Sequence, residues 1–155
     1  MLSKTSELAL QSLVYLVISD EEGFVAPSRI AEAIGASPTY TAKVTALLVR
    51  AGILRAQRGA KGGVQLEREP ASVSLLEIVE ACQGRILGDF CTPYDDMAKV
   101  CSFHEAMNEL HLAIKQVLNA WSLKDMTSRP CPHKSLIDSV ACKMKWTADL
   151  LQKDG

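Results

Sequence analysis

The sequence predicts a mainly α-helical chain. Its first part reads as a winged helix-turn-helix with a two-stranded wing, followed by a long dimerisation helix and a C-terminal helical tail. Three observations predict this. Residues 37–66 read as a capped helix, a strand, a glycine turn and a returning strand. Only Gly35-Ala36-Ser37 separates that helix from the one before it. From Phe103 an apolar stripe then continues for more than four helical turns.

The length of 155 residues suits one compact domain, or a small domain with an appendage, and 48% apolar residues supply a core. Leu10, Leu13, Val14 and Val17 recur at i, i+3, i+4 and i+7, so the spacing predicts a helix over Thr5 to Ser19 with one buried face. Glu7 stands in its first turn, where a carboxylate suits the helix dipole. The apolar run from Leu8 to Ile18 is too short for a bilayer and is interrupted by Gln11 and Ser12, so a helix of a soluble, cytoplasmic protein without a membrane partner is expected. Asp20-Glu21-Glu22-Gly23 is a turn. Pro27 opens a second helix with Ile30, Ala33 and Ile34 inward, and Gly35 ends it.

Ser37 can cap the next helix through its hydroxyl, and Pro38 suits its first position. Tyr40, Val44, Leu47, Leu48 and Ala51 are expected against the body of the domain. Thr39, Thr41, Lys43 and Thr45 are expected on the other side, as residue types that hydrogen-bond base edges and phosphates. After Gly52, Ile53 to Gln57 form a strand, and Arg58-Gly59-Ala60-Lys61-Gly62-Gly63 turn the chain into Val64, Gln65 and Leu66. Glycines there permit close approach of backbone to a phosphate, while Arg58 and Lys61 charge the tip. From Lys43 to Arg68 six basic residues face one acid, although the whole chain has a formal charge of −1. A solvated hairpin without a ligand is the plain alternative. Capped helix, glycine wing and local charge together favour DNA, contacted through Ser37, Thr39, Tyr40, Thr41, Lys43, Arg50, Arg58, Lys61, Gly62 and Gly63.

Beyond Pro70, Ser74-Leu75-Leu76-Glu77 is a capping box opening a helix with Leu75, Ile78, Val79 and Cys82 on its buried stripe. Cys82 reads as a small core hydrophobe. Arg85 to Val100 lack a period and read as a loop. Cys101 and His104, at i and i+3, can reach a common metal, and Cys91 is placed to fold back toward them; one buried thiol and an exposed histidine remain the alternative. Five cysteines, an odd number, fit a reducing cytoplasm rather than a disulfide framework. A helix from Phe103 to about Met126 carries Met107, Leu110, His111, Ile114, Leu118 and Trp121 as a stripe suited to pairing with its twin, His111 being read as a packed interface residue. In the tail, Leu136, Val140, Met144, Ala148 and Leu151 are expected on one side of a last helix, with Cys142 and Trp146 off it. Cys131 with His133 is a weaker metal or redox pair.

Glu7-Leu8-Ala9-Leu10, Ser37-Pro38-Thr39-Tyr40, Arg50-Ala51-Gly52-Ile53-Leu54, Arg58-Gly59-Ala60-Lys61-Gly62-Gly63 and Ser74-Leu75-Leu76-Glu77-Ile78-Val79-Glu80 stand in the order and spacing of one family. Over about residues 1 to 126 the chain resembles the Rrf2 family of bacterial transcription regulators. The resemblance implies a homodimer on a palindromic double-stranded operator, not an enzyme. It divides the chain into a DNA-binding domain (1–82), a sensor loop (83–102), a dimerisation helix (103–126) and a tail (127–155). In sensor branches of the family an iron–sulfur cluster is bound by the loop before the long helix. Cys91, Cys101 and His104 match ligand positions there, and Glu7 matches an acidic ligand supplied by the opposite subunit. The family's common pattern has three cysteines in this loop, whereas two are present here. Cys91, Cys101, His104 and the opposite subunit's Glu7 would suffice for a 2Fe–2S cluster, which is favoured over 4Fe–4S because the loop lacks a third thiolate, unless Cys82 or Cys131 is recruited. The sensed signal would be redox state, iron or nitric oxide. A metal-free thiol switch, or regulation by a partner, on the same fold is the second expectation. A small electron carrier or metalloenzyme is a third, and it leaves the basic helix and wing unexplained.

Overall fold

Helix α1, Lys4–Ile18, is the hub of the structure. Residues 2–19, 21–86, 97–136, 139 and 141–151 are described by this computed structural model. In α1, Ser6, Leu8, Ala9, Leu10, Ser12, Leu13, Val14 and Tyr15 are all buried, so the helix is covered nearly all round rather than along one face. The cause is its set of neighbours: α2 (Pro27–Ile34), α3 (Pro38–Arg50), α4 (Leu75–Gln83) and α6 (Leu123–Ser128) all pack on it. The two buried serine hydroxyls are satisfied, Ser12 donating to the Leu8 carbonyl at 2.8 Å and Ser6 to Gln83 Oε1 at 3.0 Å.

Helices α2 and α3 make the expected helix-turn-helix. Pro27 occupies the first turn of α2, and Gly35 ends it at φ 69°, a left-handed conformation that costs a glycine nothing. Two residues later Ser37 caps α3, its hydroxyl accepting from the Tyr40 N–H. Strands β1 (Leu54–Gln57) and β2 (Gly63–Leu66) follow as an antiparallel pair, Leu54 opposite Leu66 and Gln57 opposite Gly63. Gly63 therefore belongs to the ladder rather than to the turn. Val25 joins the hairpin through two hydrogen bonds with Val64, of 2.9 and 2.8 Å.

The Ser74–Glu77 capping box at the start of α4 is formed with both reciprocal bonds. Helix α5, Ser102–Ala120, contains no buried residue. The expected helix from Phe103 to Met126 is interrupted: Trp121 is extended, and a second capping box, Ser122 with Asp125, opens α6. The break is held by hydrogen bonds from the Leu75 N–H to the Trp121 carbonyl at 2.9 Å and from the Leu123 N–H to the Val73 carbonyl at 2.8 Å. It sends Leu123 into the core with no exposure. Burying that side chain offsets the broken helix by about 2 kcal/mol.

The tail also departs from expectation. Its described residues form a 3-10 turn at Lys134–Leu136 and a short α7, Thr147–Leu151, instead of one continuous amphipathic helix. Trp146, expected at the surface, packs against the core with its ring 6.2 Å from that of Tyr15. Val140 lies outside the described residues. Among those residues no helix is long and apolar enough to cross a membrane.

Candidate nucleic-acid interface and sensor residues

The outer face of α3 consists of Thr39, Ala42, Lys43, Ala46 and Arg50, all exposed. Thr41 and Thr45, expected on this side, are buried, at 0% and 1% exposure. Their hydroxyls are spent inside the helix, on the carbonyls of Ser37 and Ala42. Thr41, Val44, Thr45 and Leu48 make up the buried stripe. Ala51, expected inward, is exposed. Tyr40 is 39% exposed instead of buried in the domain, and its hydroxyl lies 2.6 Å from that of Thr5 on α1.

Arg55 reaches Gln65 at 2.8 Å and Glu67 at 3.7 Å and lies over the Phe24 ring, while Arg68 pairs with Glu77 at 2.7 Å. Lys43 and Arg50 on α3 and Arg58 and Lys61 at the wing tip are exposed. They place four positive groups along one helix and hairpin. Between α3 and the wing runs an open groove of about 670 Å³, lined among others by Ala42, Ala46, Val49, Arg50 and Gln57. Gly62 and Gly63 answer to local packing. A Cβ on Gly63 would strike the Val25 carbonyl and the Ala26 nitrogen, and one on Gly62 would strike the carbonyls of Gln57 and Gly59. The tight wing thus requires them even before a phosphate is considered.

Cys101 is the N-cap residue of α5 and is exposed, and His104 stands one turn on, half-buried. Cys91 lies outside the described residues. Glu7 is partly exposed, and its Oε2 is 3.2 Å from Lys143 Nζ of the tail, a pairing that no sequence pattern signals. Burial pushes the Cys82 thiol up to about 11, consistent with a packing role. In the tail Cys131 is half-buried and His133 Nδ1 is 2.9 Å from Ser135 Oγ. Among the described residues no three His, Cys, Asp or Glu side chains of one chain gather to hold a metal.

Helix-turn-helix, wing and basic face stand in one continuous segment, and a family model described as iron-dependent transcriptional regulators, Rrf2, matches residues 2–129. The chain belongs to the Rrf2 family. It is 26% identical to the HTH-type transcriptional regulator NsrR of Geobacillus kaustophilus over 144 residues, covering 88% of this chain and 95% of that one. Its structure is similar to that of CymR, described as the global cysteine regulator of B. subtilis, with a TM-score of 0.67 and 26% identity over 83% of this chain and 96% of the other. IscR of T. potens matches with a TM-score of 0.64 and 26% identity, covering 83% and 86%. This Rrf2 protein is thus a DNA-binding transcriptional regulator, and not an enzyme. The Rrf2 match ends where the tail begins.

Proposed function

We propose that this Rrf2 regulator acts as a homodimer on a palindromic operator and senses redox state, iron or nitric oxide through a cluster at the start of α5. The observation that carries the reading is the exposed Cys101 thiol at the N-cap of α5 with His104 one turn on, in an amphipathic helix with no buried residue. Phe103, Leu110 and Val117, seven residues apart on one side of that helix, are 49–60% exposed, an apolar stripe suited to a second copy of α5.

The donors fit a site divided between subunits: Cys91, Cys101 and His104 from one, Glu7 from the other. Among the described residues the Glu7 carboxylate pairs with Lys143 at the surface, a contact worth under about 1 kcal/mol, and such a pair exchanges readily. When bound, a 2Fe–2S cluster would supply one-electron chemistry and a site altered by oxidation, nitric oxide or loss of iron. The chain's own part is mechanical. Helix α1 carries Glu7 and, two residues earlier, Thr5, whose hydroxyl meets Tyr40 at the start of α3. A displacement of α1 is therefore passed to the recognition helix. A change of 1.4 kcal/mol between two dimer arrangements alters operator affinity about tenfold.

The second reading is a metal-free thiol switch, favoured by the likeness to CymR and by the engagement of Glu7 with Lys143. An absorption spectrum with iron and sulfide assays on protein purified without oxygen decides between them. Colour with about two irons and two sulfides per subunit, lost in Cys101→Ala, supports the cluster. A colourless protein that refuses reconstitution, with operator affinity that falls on thiol oxidation, supports the switch.

A further inference from the structure

We infer that Ala42 and Ala46 determine specificity by reading thymine methyl groups in the major groove. The inference rests on the DNA-binding reading above and deepens it to the class of base read. The face that α3 presents outward is Thr39, Ala42, Lys43, Ala46 and Arg50, because Thr41 and Thr45 are turned into the domain. Their hydroxyls are engaged with the Ser37 and Ala42 carbonyls and have no reach toward a base edge.

The middle of the reading face is therefore two methyl groups. An alanine side chain has neither donor nor acceptor, so it cannot pair with the polar pattern of a base edge. The one apolar feature the major groove offers is the C5 methyl of thymine. Ala42 and Ala46 are four residues apart, one helical turn and about 6 Å along the axis, a length that spans about two base steps. Val49 continues this apolar line into the groove beside the wing, while Lys43 and Arg50 flank it with charge. A small side chain here also lets the helix approach the bases closely. The half-site accordingly carries two thymines within about two steps of each other, opposite Ala42 and Ala46.

The test selects duplexes from a random pool with the full-length protein and replaces each thymine of the best duplex, in turn, by uracil, which removes only the methyl group. Two positions per half-site should each lose about fourfold in affinity, the transfer value of one methyl-sized apolar contact. The loss at one position should vanish in Ala42→Gly and at the other in Ala46→Gly. Ala42→Gln and Ala46→Gln keep helix propensity, put a long amide where the methyl stood, and should abolish the same penalties if a glycine variant folds poorly. Equal affinity for every uracil-substituted duplex overturns the inference while leaving DNA binding intact. Failure of the pool to enrich any duplex overturns the DNA-binding reading and the inference with it.

Discussion

The hydroxyl of Tyr40, in the first turn of the recognition helix, lies 2.6 Å from the hydroxyl of Thr5 on the central helix α1. It ties the reading head to the helix that carries Glu7. Tyr40→Phe keeps the ring and loses the bond, which at this exposed position should cost about 1 kcal/mol of stability at most. Under the proposed coupling, the difference in operator affinity between the two sensor states should shrink in Tyr40→Phe and in Thr5→Val. The double variant should do no more than either single one. Titration of a labelled operator under both conditions checks this, and additive losses would mean that the two hydroxyls act separately.

Arg58 and Lys61 stand exposed at the tip of the wing. Replacing both by alanine should weaken binding to all duplexes alike. The plot of log affinity against log salt should become shallower by about 2 per subunit, as expected for two lost phosphate contacts. An unchanged slope would remove the wing tip from the interface.

Glu77 of the α4 capping box has burial working against its charge, but the Ser74 N–H, the Arg68 guanidinium and the Ser74 hydroxyl outweigh it and hold the carboxyl below the usual range. A carboxyl depressed in the folded state stabilises above its unfolded value, and that contribution is lost as pH falls through the folded one. Denaturant midpoints measured from neutral to acid pH should therefore fall less steeply in Glu77→Gln than in the native protein. Ser74→Ala should cost about 1 kcal/mol near neutrality by removing the cap.

Cys82 and Cys101 should differ in reactivity. Burial keeps the Cys82 thiol protonated well above neutrality, whereas Cys101 is exposed at a helix N-cap. The thiolate is the nucleophile, so brief alkylation of the folded, cluster-free protein near neutral pH should label Cys101 several-fold faster than Cys82. Mass spectrometry of the digested protein reads the ratio.

The helix-turn-helix, the wing and the first capping box were legible because each rests on local chemistry: Ser37 and Ser74 as caps, Pro27 and Pro38 as openers, Gly35 as a left-handed stop. The orientation of α3 was readable but misassigned. Thr39, Thr41, Lys43 and Thr45 alternate in sequence, yet a helix advances about 100° per residue, so Thr41, Val44, Thr45 and Leu48 fall on one buried stripe and Ala42 and Ala46 turn outward. The break at Trp121 had a signal too, since Ser122 and Asp125 have capping-box spacing; the apolar stripe running through it outweighed that signal. The docking of Trp146 on Tyr15 and the Glu7–Lys143 pair had none. Both join residues more than 130 positions apart, where only tertiary packing decides.

Two copies of the α3–wing unit are proposed to read one operator. Footprinting of the full-length protein on its selected duplex tests this arrangement. Two symmetric protected half-sites should appear, centred one helical turn of about 34 Å or a multiple of it apart and filled together as protein is added. A single protected half-site filled by a monomer, or no protection at concentrations that coat random DNA, would contradict it.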